Sequence, residues 1–545
     1  MAAAIRAERS AVRARVPGLL LAAVGGAAAA LAQPPFGLLP GLLGFALILH
    51  ALDRARPGRL ARSAFAQGWA AGTAYFAIST WWVGEAFLVD IAVHGWQAPF
   101  VIVLLAGGLG LLWGAAGLAY RLLAPVGRLG AGAARRVLVF AAVWAVWEWV
   151  RGHLLTGFPW DLPGEAWRAG SAPSQAAALL GAYGLSVVTL AIAAAPAVLL
   201  GSTGRVGRSV AIGSALVALA ALYIGGGIRL GGATAADTAL RLRVVQANVP
   251  QAAKWDAAAF ADIIGRYTRL TAQTPAGATP PPDVVIWPEA AIPADVADYL
   301  APGSWTRRAV LDALRPGELL MAGVQRHDAG APPRYFNSLL VLRREAAADG
   351  LTTLASYDKH HLVPFGEYLP WRPLMTAIGF NALAHIPDDF TPGPPPRPVT
   401  PAGLPPVQPL ICYETLFPGY VERSGPRRPR WIVNVSNDAW FGQTSGPWQH
   451  LNIASYRAIE EGLPIVRATP TGVSAVIDAY GRARALLGTG REGVIDAALP
   501  PALAPTPFSR WRNWPFWTLV LAGLACCRLP RRSSENDSQL TQTQA

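Results

Sequence analysis

Three short stretches far apart in the chain each set one reactive side chain just after an apolar run. They are Val284-Val-Ile-Trp-Pro-Glu289, Tyr357-Asp-Lys359-His-His-Leu-Val-Pro-Phe-Gly-Glu367 and Pro409-Leu-Ile-Cys412-Tyr-Glu414. A carboxylate, an ammonium and a thiol supply a general base, an oxyanion stabiliser and a nucleophile, the minimum set for acyl transfer through a thioester. Each also has a plain reading. Glu289 is then a solvated turn residue, Lys359 a surface lysine and Cys412 a core filler.

Residue usage bears on these readings. Lys254 and Lys359 are the only lysines, against 44 arginines. In so Arg-biased a chain, a lysine at 359 offers a compact three-donor ammonium that a planar guanidinium does not imitate. Cys412 is the only cysteine of the polar region, while Cys526 and Cys527 close the last apolar stretch. Lacking a disulfide partner in its own region, Cys412 is either buried filler or a reactive thiol. His360 and His361 invite a metal reading, but adjacent histidines in a strand face opposite ways and no cluster has zinc spacing, so neither metal nor cofactor is expected.

The elements that must position these groups divide into membrane and non-membrane parts. A 545-residue chain with 52% hydrophobic and 14% charged residues points to membrane spans. Apolar stretches long enough to cross a hydrocarbon core of about 30 Å run at roughly residues 16–32, 37–52, 65–83, 98–120, 136–152, 176–200, 209–228 and 513–528. The first, behind Arg6, Arg9, Arg13 and Arg15, has the look of a signal peptide but is read as a retained helix because further spans follow at once. Arginines also gather at 54–62, 121–136, 205–208 and 528–532, in alternate loops. The positive-inside rule then puts both termini in the cytoplasm and the polar region on the far side. The expected division is a seven-span part at 1–235, a catalytic domain at 236–508, and a last helix with its tail at 509–545. The net charge of +13 is explained by these loops and anionic headgroups, without nucleic acid.

Within the polar region, strands are expected at 240–248, 283–287, 319–324, 338–342, 408–412, 431–435, 473–478 and 493–498, with a helix at 255–270. This is a sheet-rich α/β pattern, in which reactive residues at strand ends build a site.

Other motifs accompany the three. They are Gln246-Ala-Asn-Val-Pro-Gln251 with Lys254-Trp255, Tyr335-Phe-Asn337-Ser338, Val435-Ser-Asn-Asp-Ala-Trp-Phe-Gly442 and Arg457-Ala-Ile-Glu460. On the membrane side stands Glu148-Trp-Val-Arg151, leading to Gly157-Phe-Pro-Trp160. With these, the polar region resembles the nitrilase, or carbon–nitrogen hydrolase, superfamily. Over roughly residues 15–528 the chain resembles the bacterial apolipoprotein N-acyltransferase family.

The resemblance implies an αββα sandwich beside about eight spans. It implies Glu289 as base, Cys412 as nucleophile, and Lys359 with a backbone N–H near Tyr413 as oxyanion holders. The implied substrates are a phospholipid acyl donor and a diacylglyceryl apolipoprotein acceptor. The implied setting is a monomer in the bacterial inner membrane with a periplasmic catalytic domain. Glu367, Glu414, Tyr413, Asn337 and Ser436 are the expected positioning residues. Trp255, Phe365, Tyr368, Trp371, Trp440 and Phe441 are expected lid or acyl-chain contacts. A membrane-tethered amidase acting on a small amide is the alternative. A transporter or scaffold would need charges within the spans, and Glu148 and Arg151 are read instead as headgroup contacts at a span's outer end.

Overall fold

A computed structural model describes residues 16–526 except 56, 125–131, 202, 233–235, 255, 278–279, 329, 348, 378–388 and 422–427. The apolar stretches fold as helices: α1 (Val16–Ala30), α2 (Gly44–Asp53), α3 (Leu60–Ser79), α4 (Ala98–Leu123), α5 (Gly132–Arg151), α6 (Ala177–Ala194) and α7 (Arg205–Gly231). Among the described residues, three continuous stretches are long and apolar enough to cross a membrane: Ile91–Leu123, Pro173–Leu199 and Arg205–Gly231. Pro17–Ala30, Leu39–Asp53 and Trp514–Ala525 are apolar but shorter.

Glu148 and Arg151 do not sit where headgroups reach them. Both are buried and paired with each other one helical turn apart on α5. Trp113 Nε1 donates to Glu148 Oε1 at 2.5 Å, and Arg151 donates to the carbonyl of Phe158. A charge pair that also satisfies a loop carbonyl is a tolerable resident of an apolar bundle, because neither charge is left unpaired.

The polar region is a two-sheet sandwich. One sheet runs β11-β1-β2-β3-β4-β5, built from β1 (Arg241–Gln246), β2 (Val284–Trp287), β3 (Leu319–His327), β4 (Tyr335–Arg344), β5 (Leu351–Asp358) and β11 (Gly493–Ala498). The other runs β10-β9-β8-β7-β6, from β6 (Val407–Ile411), β7 (Trp431–Val435), β8 (Ile465–Ala468), β9 (Ser474–Ile477) and β10 (Ala483–Leu487). Strand alternation divides the apolar residues between two faces. Val244, Ile286, Met321 and Val341 meet Ile411, Val433, Val435 and Val466 between the sheets. Val245, Val285, Trp287 and Leu320 turn outward onto α8 (Phe260–Ala272) and α9 (Trp305–Ala313). On the opposite side Leu410, Ile432 and Ile465 pack against Ala458 of α10 (Gly446–Glu461). The layer order is therefore helix, sheet, sheet, helix.

The expected helix at 255–270 starts later, at Phe260, behind a separate turn Gln251–Lys254. Strands β5, β8 and β10 were not anticipated. α10 ties the sandwich to the helical bundle through polar contacts. Arg457 pairs with Glu165 and donates to Leu416 O, Asn452 donates to Glu165 O, and Tyr456 donates to Gly164 O. The last helix, α11 (Trp514–Ala525), packs its Phe516 and Val520 into the bundle core.

Candidate active site

Sheet register brings the three reactive side chains to one end of the sandwich. Ile411 pairs with Val435 in the parallel β6/β7 ladder, so the next residues, Cys412 and Ser436, lie side by side at the strand ends. Ser338 pairs with Asp358 across β4 and β5, and the Lys359 N–H donates to Asn337 O at 2.8 Å. Glu289 follows β2 by two residues, and Ala291 N–H bonds Gly323 O on β3. That turn rests on Gly323, where a Cβ would stand 2.4 Å from Pro288 O and 2.5 Å from the Glu289 Cα. Gly393 plays the same part behind Lys359. Its N–H bonds Lys359 O at 2.8 Å, and a Cβ there would meet Asp358 O at 2.2 Å.

Cys412 opens a single 3-10 turn, Cys412–Leu416, with φ +48°, a left-handed conformation costly for any residue but glycine. The turn is held by Glu414. Its Oε2 accepts Ile411 N–H at 2.7 Å, and its Oε1 accepts His360 N–H at 2.8 Å, His361 N–H at 3.2 Å and Tyr357 OH at 2.8 Å. Thr415 OH adds a bond to Cys412 O at 2.8 Å. So Glu414 ties the end of β6 to the loop after Lys359, and its bonds go to backbone and tyrosine rather than to the ammonium. Burial pushes its carboxyl up, opposed by those same donors.

Glu367 and Glu289 together hold the ammonium, Glu367 from the shorter distance. Lys359 Nζ lies 2.9 Å from Glu367 Oε2 and 3.3 Å from Glu289 Oε1, and Lys359 is 1% exposed. Asn337 Nδ2 donates to Glu289 Oε1 at 2.7 Å and to Glu367 Oε1 at 2.8 Å, and Val363 N–H donates to Glu367 Oε2 at 2.8 Å. The second Glu289 oxygen accepts Asn437 N–H at 2.7 Å. Burial alone pulls the Lys359 ammonium down, but Glu289, Glu367 and Cys412 outweigh it and hold the group well above the usual lysine range. At Cys412, burial and then Glu289 push the thiol well above its ordinary value, while Lys359 and the Ser436 hydroxyl pull the other way.

A buried network lies behind Cys412. Asp438 accepts from Ser436 Oγ at 2.8 Å, pairs with Arg467 at 2.6 Å and lies 3.0 Å from His450 Nδ1, while His450 Nε2 lies 2.9 Å from Thr415 Oγ1. In spite of burial, Arg467 and His450 hold Asp438 well below the usual carboxylate range. Asp438 and Arg467 fall in or beside motifs of the resemblance but are given no role by the sequence, and nothing there marks His450. For Arg467 the signal was present: a charged residue in the middle of an apolar tetrapeptide, Ile465-Val-Arg467-Ala.

The remaining expected residues scatter. The Tyr413 hydroxyl bonds Gly157 O across to the helical bundle, and its ring packs on His361 and Phe417. The two histidines lie beyond the end of β5, not in a strand. His360 Nδ1 contacts Gly393 O and His361 Nε2 contacts Thr156 O, each at 2.7 Å. Phe365 and Trp371 are exposed with φ +63° and +48°, whereas Tyr368 and Trp440 are half-buried. Phe441 is packed between Trp82 and Trp160, with centroids 4.4 and 5.8 Å away. Trp255 lies outside the described residues. Lys254, by contrast, is 3% exposed and feels the Glu289 charge.

A carbon-nitrogen hydrolase family model matches residues 241–506, and one for the apolipoprotein N-acyltransferase N-terminal domain matches residues 25–195. An apolipoprotein N-acyltransferase of Caulobacter vibrioides is 54% identical over 518 residues, covering 94% of each chain. That of Rhodopseudomonas palustris is 38% identical over 525 residues, covering 94% of this chain and 95% of its own. Among solved structures, an amidase from Nesterenkonia sp. aligns with 50% of this chain and 94% of its own, at 19% identity and a TM-score of 0.34. With matched models on both parts of the chain and relatives alike from end to end, the chain belongs to the apolipoprotein N-acyltransferase family.

Proposed function

We propose that Glu289, Lys359 and Cys412 carry out the acyl transfer of this family. The protein is an acyltransferase that moves a fatty acyl group from a phospholipid to the N-terminal amine of a diacylglyceryl-cysteine apolipoprotein. In the first half-reaction Glu289 takes the Cys412 thiol proton and the sulfur attacks the acyl ester. Lys359 and the backbone N–H of Tyr413 hold the oxyanion, and the proton goes to the departing lysophospholipid. In the second, the acceptor amine attacks the thioester and Cys412 regains its proton.

The observation that carries this reading is the shared carboxylate cage around Lys359, with Glu289 and Glu367 at 3.3 and 2.9 Å. It fixes a permanent cation at the site where Cys412 leaves its strand. Glu367, Glu414, Asn337, Tyr413 and Ser436 position these groups, and Phe365, Tyr368, Trp371, Trp440 and Phe441 line the lipid approach.

The spans at residues 1–235 and 509–545 number eight in this reading, with both termini cytoplasmic and residues 236–508 periplasmic at the inner membrane. A monomer suffices, because every group named comes from one chain. A site at the bilayer face meets two lipid substrates while keeping the thioester from water. A phosphatase fused near residue 345 is then active outside the cytoplasm, and an inactive fusion overturns the orientation.

The chemistry is tested by incubating purified full-length protein with labelled phospholipid and measuring intact mass. The expected result is one acyl group on Cys412, released by neutral hydroxylamine, with lysophospholipid in equal amount. Label that persists in Cys412→Ala, or resists hydroxylamine, overturns the thioester route. Hydrolysis of a small amide without lysophospholipid release identifies an amidase instead.

A further inference from the structure

The two oxygens of Glu289 are held by two different asparagines, and each asparagine keeps an amide oxygen buried without a partner. Asn337 Nδ2 donates to Glu289 Oε1 at 2.7 Å, and Asn437 N–H donates to Glu289 Oε2 at 2.7 Å. The Asn437 Nδ2 is occupied by Gln251 Oε1 at 3.0 Å. Asn337 and Asn437 are 5% and 7% exposed, and their Oδ1 atoms have no hydrogen-bond partner among the described residues. The Asn337 amide can point only this way, because its nitrogen faces two carboxylates that accept and never donate when ionised.

A buried amide oxygen without a donor is unfavourable by about 1–3 kcal/mol. Both belong to residues that bond the Glu289 carboxylate, one through its side-chain amide and the other through its backbone N–H, so the residues that hold the candidate base carry two unfilled acceptors. The set also adjoins Cys412, because Asn437 follows Ser436, which lies beside Cys412 at the ends of β7 and β6. Three acceptors of this kind match the three N–H donors of a primary ammonium. A phosphate or ester oxygen brings no donor and gains nothing there.

We propose that Asn337 Oδ1 and Asn437 Oδ1, with the Glu289 carboxylate, receive the α-ammonium of the acceptor in the second half-reaction. The assignment rests on the thioester reading above. The bound ammonium gives one proton to Glu289, which is free after passing the thiol proton to lysophospholipid. The resulting amine attacks the thioester carbonyl, so that a C–N bond forms and the C–S bond breaks. A second amine proton goes to the departing sulfur, restoring the Cys412 thiol. Glu289 then releases its proton to solvent, and the sum is thioester plus ammonium giving amide, thiol and one proton.

The test uses full-length protein whose thioester has been formed with labelled phospholipid, then exposed to either a diacylglyceryl peptide with a free α-amine or neutral hydroxylamine. Asn437→Ala removes the amide oxygen and keeps the backbone N–H to Glu289. It is expected to slow transfer to the cationic acceptor relative to hydroxylamine cleavage by about ten- to a hundredfold, the range for one hydrogen bond to a charged group. Asn437→Asp, which keeps an acceptor oxygen, is expected to recover most of that ratio and covers the case where the alanine variant does not fold. If the ratio is the same in wild type and variants, the ammonium site is wrong while the thioester stands. If wild-type protein forms no thioester at all, the mechanism itself falls, and this assignment with it.

Discussion

Lys359 Nζ stands 2.9 Å from Glu367 Oε2, so the candidate oxyanion holder takes its position from a carboxylate that is not the candidate base. The cage makes a size-specific demand. Lys359→Arg is expected to be nearly as damaging as Lys359→Ala, since a planar guanidinium keeps the charge but does not fit a site built around one nitrogen. Glu367→Gln keeps the shape and loses the anchor. It is expected to lower kcat about a hundredfold, the scale of an ångström-sized misplacement, with little change in phospholipid KM. Near-normal turnover in the arginine variant reduces Lys359 to a diffuse field.

The bonds of Glu414 go to backbone N–H groups and a tyrosine rather than to Cys412, Lys359 or Glu289 side chains. With four donors on a fully buried carboxylate, Glu414→Gln sets an amide N–H₂ against N–H groups. The loss is expected to be about 3 kcal/mol, the scale of breaking charge-assisted buried bonds. It is read as a lower thermal midpoint in detergent and faster proteolysis around residues 357–363. An unchanged melt shows that the turn at Cys412 holds without it.

The candidate site was legible where a single residue type stood out against its surroundings. Cys412, Lys359 and Glu289 each follow an apolar strand, and the sheet register then brings their strand ends together. Strands were missed where their residues break the alternation for a reason lying elsewhere in the chain. β5 and β10 are edge strands with exposed faces, so Leu351–Asp358 and Ala483–Leu487 carry no clear apolar side. β8 is fully buried but contains Arg467, whose charge is tolerated only because Asp438 and Asn434 meet it. The Glu148–Arg151 pair was misplaced for the same reason, its partners Trp113 and Phe158 being distant in sequence or across a turn.

Lys254 predicts a pH-dependent stability. It is 3% exposed. Burial lowers its pKa from 10.5 to about 8, against the opposing pull of Glu289. Below that pH the lysine is charged in both folded and unfolded protein, and the folded state bears the whole cost, about 3 kcal/mol for a shift of this size. As pH rises from about 8 towards 10.5 the folded protein sheds the proton first and the cost fades. Lys254→Met is therefore expected to raise the thermal midpoint at pH 7 and to flatten its rise between pH 7 and 9. A lower midpoint in the methionine variant at pH 7 assigns the lysine a stabilising contact instead.

Removing Glu289 separates a thiol with an internal base from one without. With Glu289 as the proposed base, the Cys412 proton in the wild type moves to Glu289, and thiolate forms without loss of a proton to solvent. Alkylation of Cys412 by iodoacetamide is then expected to be nearly flat between about pH 6 and 9. In Glu289→Gln the proton must leave for water. Burial still holds the thiol well above its ordinary range, so the thiolate fraction stays small and grows about tenfold per pH unit. The variant is expected to react more slowly at pH 7 and to rise steeply with pH, while acyl-enzyme formation falls throughout because nothing returns a proton to the leaving lysophospholipid. The removal of a negative charge works in the opposite direction, since it favours the thiolate. The two effects are told apart by slope: parallel profiles in wild type and variant mean that Glu289 acts only through its charge and is not the base.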